Sequence, residues 1–270
     1  MKINQEYLTP TESDYLDSIL VDGSFPDLEG VWSLMDSAWE ECQCDPYVFD
    51  ERISRFYAHP VWLLNGLFIE QHAESLSHRR DFTEHVASLN PKKVADLGGG
   101  YGSLARMIGA RSPGTEVHIV EPHPHTAAVS FAEKTANVRY VPEFSGAYDV
   151  LIATDVFEHV LDPLALVEKT AKHLRMGGEY LIANCFWPVI RCHLPSTFHF
   201  RWSWDVAMAA MNLKPGDIVS YGRVYSRIGP VSSVTSRKFE QRSKRWFRLI
   251  ERMPGRIRGR VARLLIKGLR

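Results

Sequence analysis

Residues 94–109, VADLGGGYGSLARMIG, join a short apolar run ending in an acid to a helix-like stretch through glycines at 98, 99, 100 and 102. Few folds use such a junction. An apolar run of this length reads as a buried strand, and glycines let the chain turn sharply while a ligand approaches the backbone at a helix N-terminus. Downstream, short apolar segments alternate with helical periodicity. Strands are expected at Lys93–Leu97, Glu116–Glu121, Val138–Val141, Asp149–Thr154 and Glu179–Asn184, with helices over Ser103–Ala110, His125–Lys134 and Pro163–Leu174. Alternation of this kind implies parallel strands with right-handed crossovers, hence an α/β, Rossmann-like, doubly wound and mostly parallel sheet. RMGGEY (175–180) reads as a glycine-rich stop after a helix, and KPGDIVSYGRVYSRIG (214–229) as two strands forming an antiparallel edge.

The order of the glycines narrows the ligand. The dinucleotide fingerprint G-x-G-x-x-G would put its third glycine where Ser103 stands. The sequence instead reads D-x-G-x-G-x-G through Asp96, Gly98, Gly100 and Gly102. An aspartate at the strand end repels a pyrophosphate and suits a cation or an ammonium group, which disfavours a nicotinamide-dependent oxidoreductase.

Four segments in order, VADLGGGYG, VHIVEPHP, YDVLIATDVFEHVLDP and HLRMGGEYLIANC, resemble the S-adenosylmethionine-dependent methyltransferases with a Rossmann-like core, over roughly residues 90–230. The resemblance implies S-adenosylmethionine as cofactor, bound by Asp96, Gly98, Gly100, Gly102, Glu121 and Asp155. This cofactor carries a sulfonium, an ammonium and a carboxylate but no phosphate, so an acid beside the turn matches it. Glu121, at the end of the second strand, would accept the ribose hydroxyls. Glu143 in PEFSG would flank the adenine, His123 and His125 would start a helix near the ribose, and Asp155 would face the methionine end and the acceptor.

TDVFEHVLD supplies Asp155, Glu158 and His159 at i, i+3 and i+4, which share a face on a helical turn. Three readings stand: a packed turn, His159 as general base, or a divalent metal held by all three that lowers an acceptor hydroxyl's pKa. The ubiquinone-pathway O-methyltransferases look similar here, with E-x-x-E-H proposed to hold metal; this sequence has Asp155 in the first place. CHLPSTFHFRWSWD (192–205) is either an aromatic loop packed on the core or part of the acceptor site, with His193 or His199 assisting proton removal and Arg201 holding an anionic acceptor. The candidate catalytic set is His159, Asp155 and His199. No N/D-P-P-Y/F stretch and no Pro-Cys nucleophile follows the fourth strand, which argues against adenine amino methylation and cytosine C5 methylation by those routes.

The net charge is zero, yet the ends oppose each other. Residues 1–90 carry 5 basic and 17 acidic side chains, whereas residues 237–270 carry 13 basic and 2 acidic. Residues 1–89 read as an acidic, mainly helical extension, either structural or a lid over the substrate pocket, ahead of a methyltransferase domain at 90–236. Residues 237–270 read as a basic amphipathic tail, with Ile257, Val261, Leu264, Leu265 and Leu269 on one stripe. Its partners are an anionic membrane surface or the acidic N-terminal segment, with nucleic acid disfavoured. No apolar run reaches the roughly 18–20 residues that span a bilayer, and no signal peptide or paired Cys motif stands out, so a cytoplasmic protein with free thiols is expected, peripheral at the inner membrane face through its tail. The expected activity is methyl transfer to an oxygen of a small molecule or glycan; the alternative is a non-catalytic binding or assembly protein of the same fold. Oligomeric state stays open.

Overall fold

The computed structural model describes residues 5–20 and 23–254. Five helices precede the first strand: α1 (Pro10–Ile19), α2 (Leu28–Glu41), α3 (Glu51–Tyr57), α4 (Pro60–Ile69) and α5 (Ala73–Ser88). Each begins where a side chain takes over an orphan backbone N–H: Thr9 in a capping box with Glu12, then Asp27, Asp50, His59 and His72. The segment before the core forms three helices, α3 to α5. Helix α4, PVWLLNGLFI, is apolar nearly all round and buries Val61, Leu63, Leu64, Leu67 and Phe68, so it forms the centre of the extension.

The core continues as β1 (Lys93–Leu97), α6 (Ser103–Arg111), β2 (Glu116–Val120), α7 (Thr126–Ala132), β3 (Val138–Val141), β4 (Tyr148–Thr154), α8 (Pro163–Ala171) and β5 (Leu174–Ala183). It ends with α9 (Phe200–Ala209), β6 (Leu213–Val219), β7 (Gly222–Arg227) and α10 (Val234–Glu251). The strands form one sheet in the order β3-β2-β1-β4-β5-β7-β6. The first five are mutually parallel, β7 runs antiparallel to β5, and β6 antiparallel to β7. This is the doubly wound sheet with an antiparallel edge that the sequence implies.

Alternate strand residues divide between two cores, as the two-residue period of a strand requires. Ala95, Leu97, Leu151, Ala153, Tyr180 and Ile182 pack with α8 and α9; Val94, Val117, Ile119, Val150, Ile152 and Leu181 pack with α5 and α6. Order reverses between β1 and β4, so the crevice at their carboxyl ends, beside Gly98 and Asp155, is the place where such sheets bind ligands.

RMGGEY is not a helix stop. Helix α8 ends at Ala171 and the strand already runs from Leu174. Gly177 takes φ +73°, a Cβ on Gly178 would lie 2.8 Å from the Asp149 carbonyl, and the β4–β5 register shifts between Tyr148 and Val150. The glycines make an irregularity in a paired strand, where close backbone approach excludes side chains. Of the basic segment, residues up to Glu251 form helix α10 against α9. The stripe Ile257, Val261, Leu264, Leu265 and Leu269 lies outside the described residues. No helix among the described residues is long and apolar enough to cross a membrane.

Candidate active site

Gly98, Gly100 and Gly102 take φ of +64°, +52° and +77°, conformations that an L side chain rarely adopts. At Gly98 a Cβ would also meet Val156 Cγ2 at 2.8 Å, so the turn lies tight against the segment after β4. The Gly98 N–H donates to the Val120 carbonyl at 2.9 Å and the Tyr140 hydroxyl to the Gly100 carbonyl at 2.7 Å. Glu121, just past β2, accepts from the Gly100 N–H (3.2 Å) through Oε2 and from the His123 N–H (3.0 Å) through Oε1. Two backbone amides thus hold this acid beside the turn. Ser103, standing where a dinucleotide motif has its third glycine, donates to Glu70, which also pairs with Arg106.

Asp96, the penultimate residue of β1, has 1% of its surface exposed. Its Oδ1 is buried without a hydrogen-bond partner, and burial, aided by the charge of Glu121 and opposed by Arg79, pushes its carboxyl up to about 7. An orphaned buried acceptor is costly in a finished structure. It fits a group supplied by a ligand, and a cation best. Arg79 of α5 exerts its positive charge on both Asp96 and Asp155, a neighbour no motif in the sequence identifies.

After β4 the chain does not enter an α-helix. Asp155 adopts a left-handed conformation (φ +53°) and a single 3-10 turn, Phe157–His159, follows. The i, i+3, i+4 argument therefore fails for Asp155. Its carboxylate accepts from the Tyr221 hydroxyl at 2.8 Å, and Tyr221 in turn packs on His78 and Phe82. Glu158 and His159 instead meet His193: one ligand-capable atom of each lies within 4.8 Å of the others.

Backbone groups fix this trio. Glu158 Oε1 accepts from the Cys185 N–H at 2.6 Å, while Oε2 is buried without a partner. Burial, with Asp155 adding, drives the Glu158 carboxyl well above its usual range. His159 Nδ1 lies 3.0 Å from the Cys192 carbonyl and His193 Nδ1 2.7 Å from the Trp187 carbonyl. A carbonyl only accepts, so both rings carry their proton on Nδ1 and turn a lone pair outward from Nε2. Burial and the neighbouring His193 pull His159 down to about 3.

The other residues singled out by sequence fall elsewhere. His199 is buried at the start of α9 with Nδ1 3.1 Å from Ser243 Oγ of α10, and burial beside Lys244 pulls it down to about 3. It is a packing residue between two helices and not a member of the Glu158–His159–His193 group. Arg201 holds no open anion site: its Cζ lies 4.0 Å from the Trp187 ring and 5.0 Å from Phe247, with Glu251 at 3.7 Å. Helix α10 claims both residues. Glu143 is exposed after β3, and His125 is tied to Glu12 of α1 at 2.7 Å.

Two side chains of the extension reach the site unannounced. Tyr57 and Trp62 face the His159 ring edge-on at 6.4 and 6.2 Å, and Tyr57 also stacks with His123 at 6.4 Å. The Trp62 Nε1 is buried without a partner. No spacing rule places these rings: Tyr57 ends α3 and Trp62 lies in the first turn of α4, whose Gly66 presses against Tyr101 of the glycine turn.

Comparison with known proteins gives the family and the fold. A methyltransferase domain model matches residues 68–215, more than half of the chain, so the chain belongs to the methyltransferase domain family. A ubiquinone biosynthesis O-methyltransferase of Erwinia tasmaniensis is 32% identical over 134 residues, 46% of this chain and 54% of that protein. One of Escherichia fergusonii is 31% identical over 158 residues, 54% of this chain and 65% of that protein. The chain thus spans between half and two thirds of the length of these relatives. Among solved structures, an O-methyltransferase family protein of Burkholderia thailandensis aligns with TM-score 0.51 and 18% identity over 85% of this chain and 77% of that one. The CurJ carbon methyltransferase aligns with TM-score 0.56 and 11% identity over 85% and 72%. These two share the fold.

Proposed function

We propose that this chain transfers the methyl group of S-adenosylmethionine to an oxygen of a small molecule or a glycan. The observation that carries the reading is the buried, unpartnered Asp96 Oδ1 beneath a glycine turn, with Glu121 pinned one strand away. The residues present fit a cationic, phosphate-free cofactor. Asp96 would take the ammonium and Arg79 the carboxylate of its methionine part, Glu121 the ribose hydroxyls, and Gly98, Gly100 and Gly102 would let it lie against the backbone. Asp155, held by Tyr221 at the mouth of the crevice, would border the methionine end.

Methyl transfer is an in-line displacement at an activated carbon, so alignment and exclusion of water are the main tasks of the chain. Tyr57 and Trp62 would wall the acceptor side, and this makes the N-terminal extension a lid. The Trp62 N–H would meet a polar atom of the acceptor. Without a metal, His159 would turn its free Nε2 to the acceptor hydroxyl from the end of the 3-10 turn. A divalent metal bound at this turn would lower that hydroxyl's pKa. Incubation with methyl-labelled S-adenosylmethionine and panels of phenolic and sugar hydroxyl acceptors tests the reading. Label in a product supports it, and cofactor binding without turnover on any acceptor favours the non-catalytic alternative.

A peripheral contact with an anionic membrane surface is supported by α10. It buries Ser236, Glu240 and Ser243 and exposes Lys238, Arg242, Arg245 and Arg248 together with Trp246 and Leu249. Each cation near an anionic leaflet contributes on the order of 1 kcal/mol. Co-sedimentation with phosphatidylglycerol vesicles that is lost in Trp246→Glu/Leu249→Glu would support it; no sedimentation of the full chain would remove it.

A further inference from the structure

The donors around His159 do not match the arrangement a helical reading of the motif supplies. Asp155, in the place of the first acid, is turned to Tyr221 by its left-handed backbone. In its stead the loop after β5 brings His193, whose ring centroid lies 4.9 Å from that of His159. We propose that Glu158, His159 and His193 form a two-histidine, one-carboxylate site for a zinc-class divalent cation, in which His193 replaces the first acid and magnesium is disfavoured.

Three observations converge on it. One ligand-capable atom of each residue lies within 4.8 Å of the others, close enough to share one ion. Both imidazoles hand Nδ1–H to a backbone carbonyl, the outer-shell bond that fixes ring orientation and leaves Nε2 to a metal. The carboxylate is anchored through Oε1 by the Cys185 N–H, and its buried Oε2 has no other partner to meet. Two imidazoles and one carboxylate suit zinc, cobalt, nickel or iron, whereas magnesium takes oxygen ligands and keeps its waters. Three protein ligands also leave a coordination position for an acceptor oxygen, as catalytic zinc sites do. The inference concerns the same crevice as the proposed methyl transfer but needs neither cofactor nor turnover.

The test is titration of the metal-stripped full-length chain with Co²⁺, read by its visible ligand-field bands, with Mg²⁺ as competitor. One equivalent of Co²⁺ is expected to bind and to resist a large excess of Mg²⁺. His193→Asn, which keeps a donor for the Trp187 carbonyl, is expected to weaken binding by about tenfold or more, the scale on which even outer-shell changes act. Asp155→Asn, whose side chain is bonded to Tyr221, is expected to change the affinity by much less than His193→Asn does. The melting temperature of each variant reports an intact fold, and calorimetric binding of S-adenosylhomocysteine to the wild type separates this inference from the methyltransferase reading. Absence of Co²⁺ bands in the wild type overturns the site. Loss of them in Asp155→Asn with retention in His193→Asn overturns the ligand assignment, and Mg²⁺ displacing Co²⁺ at equal concentration overturns the selectivity.

Discussion

His159 and His193 stand edge to face, 4.9 Å between ring centroids, and each gives its Nδ1 proton to a carbonyl of one loop, at Cys192 and Trp187. That loop is also bonded to the turn after β4 through the Leu194 N–H and the Glu158 carbonyl at 2.8 Å. The acceptor side of the crevice is therefore built by two crossovers stitched together, and its chemistry depends on their mutual position.

The glycine turn is expected to be intolerant at Gly98. Gly98→Ala combines a φ of +64° with a 2.8 Å approach to Val156 Cγ2. Strained backbone of this kind costs on the order of 1–3 kcal/mol. Calorimetry is expected to show S-adenosylmethionine affinity reduced by about tenfold or more; unchanged affinity would mean the turn does not hold the cofactor.

Asp96 gives the site a pH dependence. With its carboxyl at about 7 in the folded chain against about 3.9 when unfolded, the folded state keeps its proton longer. The ligand-free protein therefore loses stability as pH rises between these values, since the unfolded state binds fewer protons there. A cationic ligand favours the carboxylate, so S-adenosylmethionine affinity is expected to rise with pH and level off above about 7, by at most about tenfold per pH unit. Asp96→Asn is expected to flatten both profiles, which thermal melts and titrations from pH 5.5 to 8 would show.

The contact of the extension with the turn is testable at Gly66. A Cβ there would lie 2.5 Å from Tyr101 Cβ. Gly66→Ala is expected to lower stability by about 1–3 kcal/mol, as overpacking does, and to weaken cofactor binding through Tyr101. A variant with wild-type melting temperature would show that α4 is not seated on the turn.

Arg201→Ala should act on the fold and not on the acceptor. Its guanidinium lies against Trp187 and Phe247 and beside Glu251, tying α9 to α10. A lower melting temperature with unchanged KM for an acceptor is expected. A raised acceptor KM at unchanged stability would restore Arg201 to the site.

What the sequence discloses follows the range of the interactions. The placement of Asp96, the glycines and Glu121 around one turn is legible because strand, turn and strand end are set by neighbours along the chain. The switch point follows from strand order. Asp155 is misread because an i, i+3, i+4 face presumes α-helical dihedrals, and the chain passes through a left-handed residue and a 3-10 turn. His193 is visible as a residue, but its partnership with Glu158 and His159 exists only once the loop after β5 has folded over the turn after β4. His199 and Arg201 are drawn away by α10, whose docking on α9 no local pattern reveals. Tyr57 and Trp62 lie outside residues 68–215, the part of the chain that matches the family.

Titration calorimetry of the full chain decides whether the turn at 98–102 and Glu121 hold S-adenosylmethionine. One-to-one binding of S-adenosylmethionine is expected, with no heat from NAD. Glu121→Ala removes charge-assisted hydrogen bonds to the ribose of about 1.5–3 kcal/mol each, so affinity is expected to fall by at least about tenfold. Heat from NAD with none from S-adenosylmethionine, or a Glu121→Ala variant that binds the cofactor as the wild type does, would contradict the account.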